Sequence, residues 1–234
     1  MPVGFDILLE DSACLVVNKP AGLLTQAPLG IDSLEHRIKV WLKERDAKPG
    51  GVYLGVPHRL DRPASGVIVF AKNVRAARRI SEQFEGRLVE KTYWALVEGD
   101  VQPGEATWTD HLKKIDGEPR TVVVDECEPE GRIAVLHYRV LQRLAGKTLL
   151  EIDLETGRTH QIRVQCATRG HPLLGDELYG STMLFGPWSD DERERLIGLH
   201  ARSLKFRHPM TREYVECVAP LPAIWADAGV VSAG

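Results

Sequence analysis

The hydrophobic positions of this chain fall into short runs, alternations and two helical stripes. Ile7-Leu8-Leu9 and Cys14-Leu15-Val16-Val17 flank Asp11-Ser12, the pattern of two strands joined by a turn. The second run ends in Asn18-Lys19-Pro20-Ala21-Gly22-Leu23, where proline and glycine force a bend. From Ser33 to Leu42 apolar residues recur at 34, 38, 41 and 42, which predicts a helix capped by Asp32 or Ser33. Residues 46–51 are polar and end in Pro49-Gly50-Gly51, a loop. Val67-Ile68-Val69-Phe70-Ala71 is a buried-strand run, and Val74 to Leu88 carries apolar positions at 76, 77, 80 and 84 among charges, an amphipathic helix.

The second half reads mostly as strands. Lys91 to Gly99 has the β-branched and aromatic content of one, with Lys91, Tyr93 and Ala95 on a common face. Ala106 to Leu112, Thr121 to Asp125, Ile133 to Leu141 and Thr148 to Leu154 follow, separated by glycine-bearing turns. Such a run of hairpins predicts an α+β domain with a mixed, mostly antiparallel sheet instead of repeated βαβ units. Thr156-Gly157 makes a turn, and Thr159 to Thr168 is expected to be helical with Ile162, Cys166 and Ala167 inward. A glycine-punctuated loop (170–180) and an acidic, tryptophan-containing connection (182–197) lead to a closing hairpin, 200–206 with 214–218, turning at His208-Pro209-Met210. No repeat or low-complexity linker interrupts the chain, so one domain over 1–234, with a core of about 6–222, is expected.

Composition narrows the class. Apolar residues make up 43% and charged residues 27%, as in ordinary globular proteins. No stretch approaches the ~20 apolar residues of a membrane span, and the N-terminus lacks the order of a signal peptide. Cys14, Cys127, Cys166 and Cys217 are scattered without a CxxC pair, which argues against a zinc site or a disulfide framework and for a reducing cytoplasm. The net charge of −3 does not announce a nucleic-acid binder, yet His58 to Lys91 holds eight Lys/Arg against four Asp/Glu. A local basic face of that kind steers a polyanion even when the total is negative.

Candidate chemistry centres on His58-Arg59-Leu60-Asp61-Arg62-Pro63-Ala64-Ser65-Gly66. One carboxylate stands between two guanidinium groups. Pro63 excludes a helix interior, so the segment is a loop delivering Asp61 to the mouth of a strand. Taken alone it reads first as a surface turn with an ion-paired aspartate. Lys19 after a strand end, and Arg158 at a strand-to-helix junction, are further side chains that can reach a cleft or simply hold a loop.

Four separated blocks resemble the RluA-type RNA pseudouridine synthases: Asn18-Lys19-Pro20-Ala21-Gly22-Leu23, His58-Arg59-Leu60-Asp61-Arg62 with Ser65-Gly66, Lys91-Thr92-Tyr93-Trp94-Ala95, and Gly157-Arg158-Thr159-His160-Gln161-Ile162-Arg163. Pro172-Leu173-Leu174-Gly175-Asp176 and Leu199-His200-Ala201 also fit, and the likeness spans nearly the whole chain. The resemblance implies a catalytic domain whose sheet is crossed by a cleft, isomerising uridine to pseudouridine in structured RNA, tRNA or rRNA. It implies that Asp61 is the catalytic carboxylate, as nucleophile or base at the ribose, since cleaving a glycosidic bond calls for a carboxylate at the anomeric carbon. Arg158 matches the arginine that pairs with that aspartate and favours its ionised form. Tyr93 corresponds to the aromatic stacked on the target base, and Ile162 to the apolar residue on the ring's other side. Arg62 resembles the arginine that fills the space left when the uridine flips out. Arg59, Lys19 and Lys91 are candidate phosphate or loop contacts, and His58, like His160 and His200, is assigned a hydrogen-bonding role. No metal, cofactor or membrane is implied, and a monomer is expected.

Two departures carry weight. Ala64 stands where the family often has Thr, at the cost of one hydroxyl. Many relatives carry an N-terminal S4 RNA-binding domain, and here the expectation is a catalytic domain alone, choosing its RNA by its own loops and by RNA shape. Three rival readings remain at this level: a hydrolase built on His58 and Asp61, a non-catalytic RNA-binding protein of the same fold, and an enzyme acting on a free nucleoside. The first leaves the Tyr93 and Arg158 blocks without a task. The second need not keep Asp61, Tyr93 and Arg158 together, and the basic segment disfavours the third.

Overall fold

The computed structural model describes residues 4–231. It forms two compact units, one of the chain through Glu90 with Ala201–Pro220, the other of Lys91–His200 with the segment from Leu221 onward.

In the first unit, β1 (Asp6–Glu10), β2 (Cys14–Lys19) and β3 (Ser65–Ala71) run antiparallel in that order, and β9 (Leu199–Arg207) and β10 (Tyr214–Val218) extend the sheet beyond β3. Asp11 makes the first turn, its Oδ1 accepting the N–H groups of Ala13 and Cys14 at 2.7 Å each. Every residue of β3 is buried, as expected of a strand with partners on both sides. Gly66 permits that packing: at φ +117° a Cβ would stand 2.2 Å from the Ala201 carbonyl oxygen, so no side chain fits there. Helix α1 (Leu34–Arg45) is capped by Ser33, whose Oγ accepts the His36 N–H, and buries Leu34, Ile38 and Leu42. Helix α2 (Val74–Glu85) is capped by Asn73 and buries Ala76, Ile80 and Gln83.

The second unit is a sheet of antiparallel strands in the order β4 (Glu90–Glu98), β8 (Lys147–Leu154), β7 (Arg132–Leu144), β5 (Glu105–Lys114) and β6 (Thr121–Val124). Its core gathers Leu96, Leu149, Leu174, Phe185 and Trp225, the last from a short helix α4 (Ile224–Asp227) that the hydrophobic pattern does not announce.

Helix α3 (Gln161–Thr168) departs from expectation twice. It starts two residues after the predicted Thr159, because His160 holds a left-handed φ of 54° that no helix continues through. Its inward residues also go beyond an apolar stripe: Gln161, Arg163 and Gln165 are buried beside Ile162, Val164 and Cys166, whereas Ala167 is only half-buried. Polar partners make this possible. Arg163 forms a bidentate pair with Asp176, both bonds 2.7 Å, and Gln165 donates to Asp110 at 2.7 Å.

Candidate active-site loops

In the first unit the Asp61 loop is anchored from behind by Lys19. Its ammonium is fully buried at the end of β2 and donates to the carbonyls of Pro20 (2.9 Å), Leu23 (2.7 Å) and Arg62 (3.2 Å). Burial pulls its pKa down to about 7, opposed by the charge of Asp61 and assisted by that of Arg62. The same Arg62 carbonyl accepts the Gly22 N–H at 2.8 Å, and Ala64 N–H closes a tight turn on the Asp61 carbonyl at 3.2 Å. Thr25 adds a second clamp: its hydroxyl donates to the Leu60 carbonyl (2.9 Å) and accepts the Leu60 N–H (3.1 Å). Leu60 is buried between these ties, and the next residue, Asp61, is half-buried.

Two of the candidate contacts serve the loop itself. Lys19 spends its three donors on carbonyls and has no surface to offer a phosphate, so it holds the loop from within. His58 is packed flat on Phe84, ring centroids 4.3 Å apart, and its Nε2 accepts the Val69 N–H at 3.1 Å, which makes it a strut between the loop and β3. Arg59 is exposed. Arg62 is half-buried, and its Nε finds no acceptor among the described residues despite being sealed from solvent.

In the second unit Lys91 and Tyr93 project from one face of β4, both half-buried, with Tyr93 opposite Ile152. The Lys91 Nζ lies 3.7 Å from where a Cβ on Gly157 would stand, so this strand and the turn before Arg158 meet. Gln161 shapes that turn. Its Oε1 accepts the Thr156 hydroxyl (2.8 Å) and the Arg158 N–H (3.1 Å), and its Nε2 donates to the Val135 carbonyl (3.1 Å). Arg158 itself lays Nε on the Ile133 carbonyl at 2.9 Å. Ile162 follows, 4% exposed. The left-handed His160 bonds through Nδ1 to the Tyr179 hydroxyl at 2.9 Å, which in turn accepts the Thr121 N–H at 2.9 Å.

Sequence reasoning passed over Thr25, Gln161 and Tyr179. A buried threonine two residues after Leu23 carries no local signal, because its partner is far along the chain. Asp176 stood in a quoted block without a task, and its task is to neutralise Arg163.

Among the described residues one cluster has the makings of a metal site, Asp11, Cys14 and His208, with ligand atoms within 4.8 Å of one another. Its groups satisfy each other instead: His208 Nε2 donates to Asp11 at 2.6 Å, and its Nδ1 accepts the Thr211 N–H at 3.1 Å. Burial pushes the Cys14 thiol up to about 12, so in the packed cluster it stays protonated. The cluster clasps two turns of the first unit together.

Comparison with known proteins supplies an independent line. A family model described as RNA pseudouridylate synthase matches residues 13–168. The ribosomal large subunit pseudouridine synthase D of Xylella fastidiosa is 36% identical over 227 residues, covering 94% of this chain and 67% of that protein. An uncharacterised RNA pseudouridine synthase of Synechocystis is 35% identical over 223 residues, with the same coverages. Among solved structures, the human RNA pseudouridylate synthase domain containing 4 superposes with a TM-score of 0.76 at 26% identity, over 94% of this chain and 90% of that one.

Proposed function

Because the chain belongs to the RNA pseudouridylate synthase family and is an RNA pseudouridine synthase, an isomerase acting on uridine in RNA, we propose that Asp61 is its catalytic carboxylate. The observation that carries this assignment is the loop geometry: four hydrogen bonds, one from Lys19, one from Gly22 and two shared with Thr25, hold the backbone of Leu60 and Arg62 on either side of a half-buried Asp61. A carboxylate held so rigidly suits attack at the anomeric carbon, or removal of a proton from the ribose, once the uridine is out of its stack. The detached uracil turns, its C5 bonds to C1′, and the C5 proton leaves to a base.

Tyr93 stacks on the uracil and assists that proton transfer, Ile162 packs on the ring's other side, and Arg158 supplies the positive charge that keeps the carboxylate ionised. Arg62 enters the space vacated by the uridine, and its sealed, unpartnered Nε gains an acceptor when RNA is bound. Arg59 and Lys91 contact phosphates. The reading requires no metal and no cofactor. The likeness to a synthase named for the ribosomal large subunit favours structured ribosomal RNA over tRNA as the target, and the enzyme works in the cytoplasm as a monomer.

The test is nucleotide-resolution mapping of pseudouridine in total RNA from cells with and without the gene. One or a few ribosomal uridines should lose the modification and regain it with wild type but not with Asp61→Asn, a change expected to cost at least ~10⁴-fold in turnover while RNA binding persists. Tyr93→Phe should slow the reaction about 10²-fold. Full activity of Asp61→Asn would remove that residue from its role, and unchanged turnover of Tyr93→Phe would exclude the phenol.

A further inference from the structure

Helix α2 begins with charge of the wrong sign for its dipole. Its first turn holds no acidic residue and carries Arg75, although a helix N-terminus is itself partly positive. One turn on, Arg79 reaches across to the β9–β10 turn, where its Nη1 donates to the Pro209 carbonyl at 2.6 Å. That turn presents Arg212 with a left-handed φ of 70°, a conformation a non-glycine residue adopts only at a cost. Arg75 and Arg212 are exposed and Arg79 is half-buried. The Arg79 guanidinium is held below its usual range by desolvation and by the charges of Arg75 and Arg212, which both lie close enough to act on it.

Neighbouring cations are compensated. Arg78 pairs with Glu82 at 2.8 Å, Lys72 with Glu10 at 2.7 Å and Lys205 with Glu90 at 2.9 Å. Among the described residues, no carboxylate forms an ion pair with Arg75, Arg79 or Arg212. Glu82, which acts on Arg79, is already engaged by Arg78. Three uncompensated like charges, gathered from two elements, repel one another in the folded protein. A polyanion converts that repulsion into attraction and releases its own counterions in exchange. Beside them, the Arg207 guanidinium lies 4.8 Å from the ring centroid of exposed Tyr214, continuing the positive surface.

We propose that Arg75, Arg79 and Arg212 form a phosphate-gripping face of the first unit, which holds the backbone of the substrate RNA away from the reacting nucleotide. The proposal rests on RNA being the substrate. Base identity plays no part in it, because such contacts position a nucleic acid without reading it.

The experiment measures binding of a labelled, mixed-sequence RNA hairpin by fluorescence anisotropy across a salt series. Each phosphate contact contributes about 0.7 to 0.9 to the slope of log K against log salt. The Arg75→Gln/Arg79→Gln/Arg212→Gln variant should therefore be shallower by roughly 2 to 3 and bind at least about tenfold more weakly at low salt, with kcat at saturating RNA unchanged. Arg79 also anchors the turn, so the double variant Arg75→Gln/Arg212→Gln, confined to exposed side chains, is measured beside it and should show about two thirds of that slope change. Arg78→Gln, whose charge is already paired, should leave the slope near wild type. Wild-type slopes in the triple and double variants overturn the face. An equal loss per charge for Arg78→Gln also overturns it, because the effect would then be one of net charge. If wild type binds the hairpin steeply but installs no pseudouridine in any cellular RNA, the catalytic reading fails and the face stands. If catalysis holds and the slopes do not move, the face alone fails.

Discussion

The two units fix their site loops by different means. In the first, the Asp61 loop is tied by backbone groups converging on a single buried cation, Lys19, whose ammonium donates to three carbonyls and, among the described residues, to no carboxylate. In the second, the Arg158 turn and helix α3 are set by side chains in complementary pairs: Thr156 with Gln161, Gln165 with Asp110, and Arg163 with Asp176. The buried ion pair matches a guanidinium, which keeps its proton in proteins, to a carboxylate of fixed geometry. The buried ammonium has no such match and answers to pH. One unit therefore holds its loop by a switchable charge, the other by a permanent one.

The largest effect is expected from breaking the permanent pair. Arg163→Met leaves the Asp176 carboxylate buried without its partner, a loss of about 3–5 kcal/mol, read as a fall in the urea midpoint. Replacing both residues by apolar ones of similar volume should recover most of it. A single variant as stable as wild type would show that the pair contributes little.

Lys19→Met comes next. It leaves three carbonyls short of a donor, at about 1–3 kcal/mol for each that finds no water, but it also removes the cost of burying a charge, so a net loss of roughly 2–3 kcal/mol is expected. The signature that separates it from Arg163→Met is pH. With a folded pKa of about 7 against an ordinary 10.5, the unfolded chain holds a proton through that window that the folded chain has released. Stability contributed at this site therefore rises as pH goes from 7 towards 10, and the burial penalty is felt in full below 7. Lys19→Met should flatten that segment of the stability curve and Arg163→Met should not. Parallel curves for wild type and Lys19→Met would refute the assignment.

The smallest effect is expected at Thr25→Val, which removes both side-chain bonds to Leu60 and strands one buried N–H and one C=O, about 1–3 kcal/mol. Turnover should fall further than stability does, because the loss is localised one residue from Asp61. Equal loss of stability and no change in turnover would make the clamp purely structural.

Periodicity made most strands, α1 and α2 legible, because their burial follows the two simple rhythms of strand and helix. It failed where tertiary partners rewrote the rule. Helix α3 hides Gln161, Arg163 and Gln165, which a stripe-based reading turns outward, and partners at Thr156 and Val135, Asp176, and Asp110 respectively make their burial tolerable. Lys19 was open between a phosphate and a loop, because the carbonyls that enclose it come from residues 20, 23 and 62, the last far along the chain. Helix α4 is too short to show a period. Of the site, the blocks around Asp61, Tyr93 and Arg158 were visible as strings. The braces behind them were not, since Thr25 and Gln161 act on partners that no local pattern reveals.

Gly66 has a consequence for the order in which this protein is made. The strand that follows the Asp61 loop lies so close to Ala201 that only a hydrogen is accommodated between them, and Ala201 leaves the ribosome long after Glu90. Until the chain through Pro220 has emerged, the first unit lacks two of its strands. The nascent enzyme must therefore wait, with its Asp61 loop already translated, until the strands of the second unit and then β9 and β10 have followed before that loop gains its full scaffold.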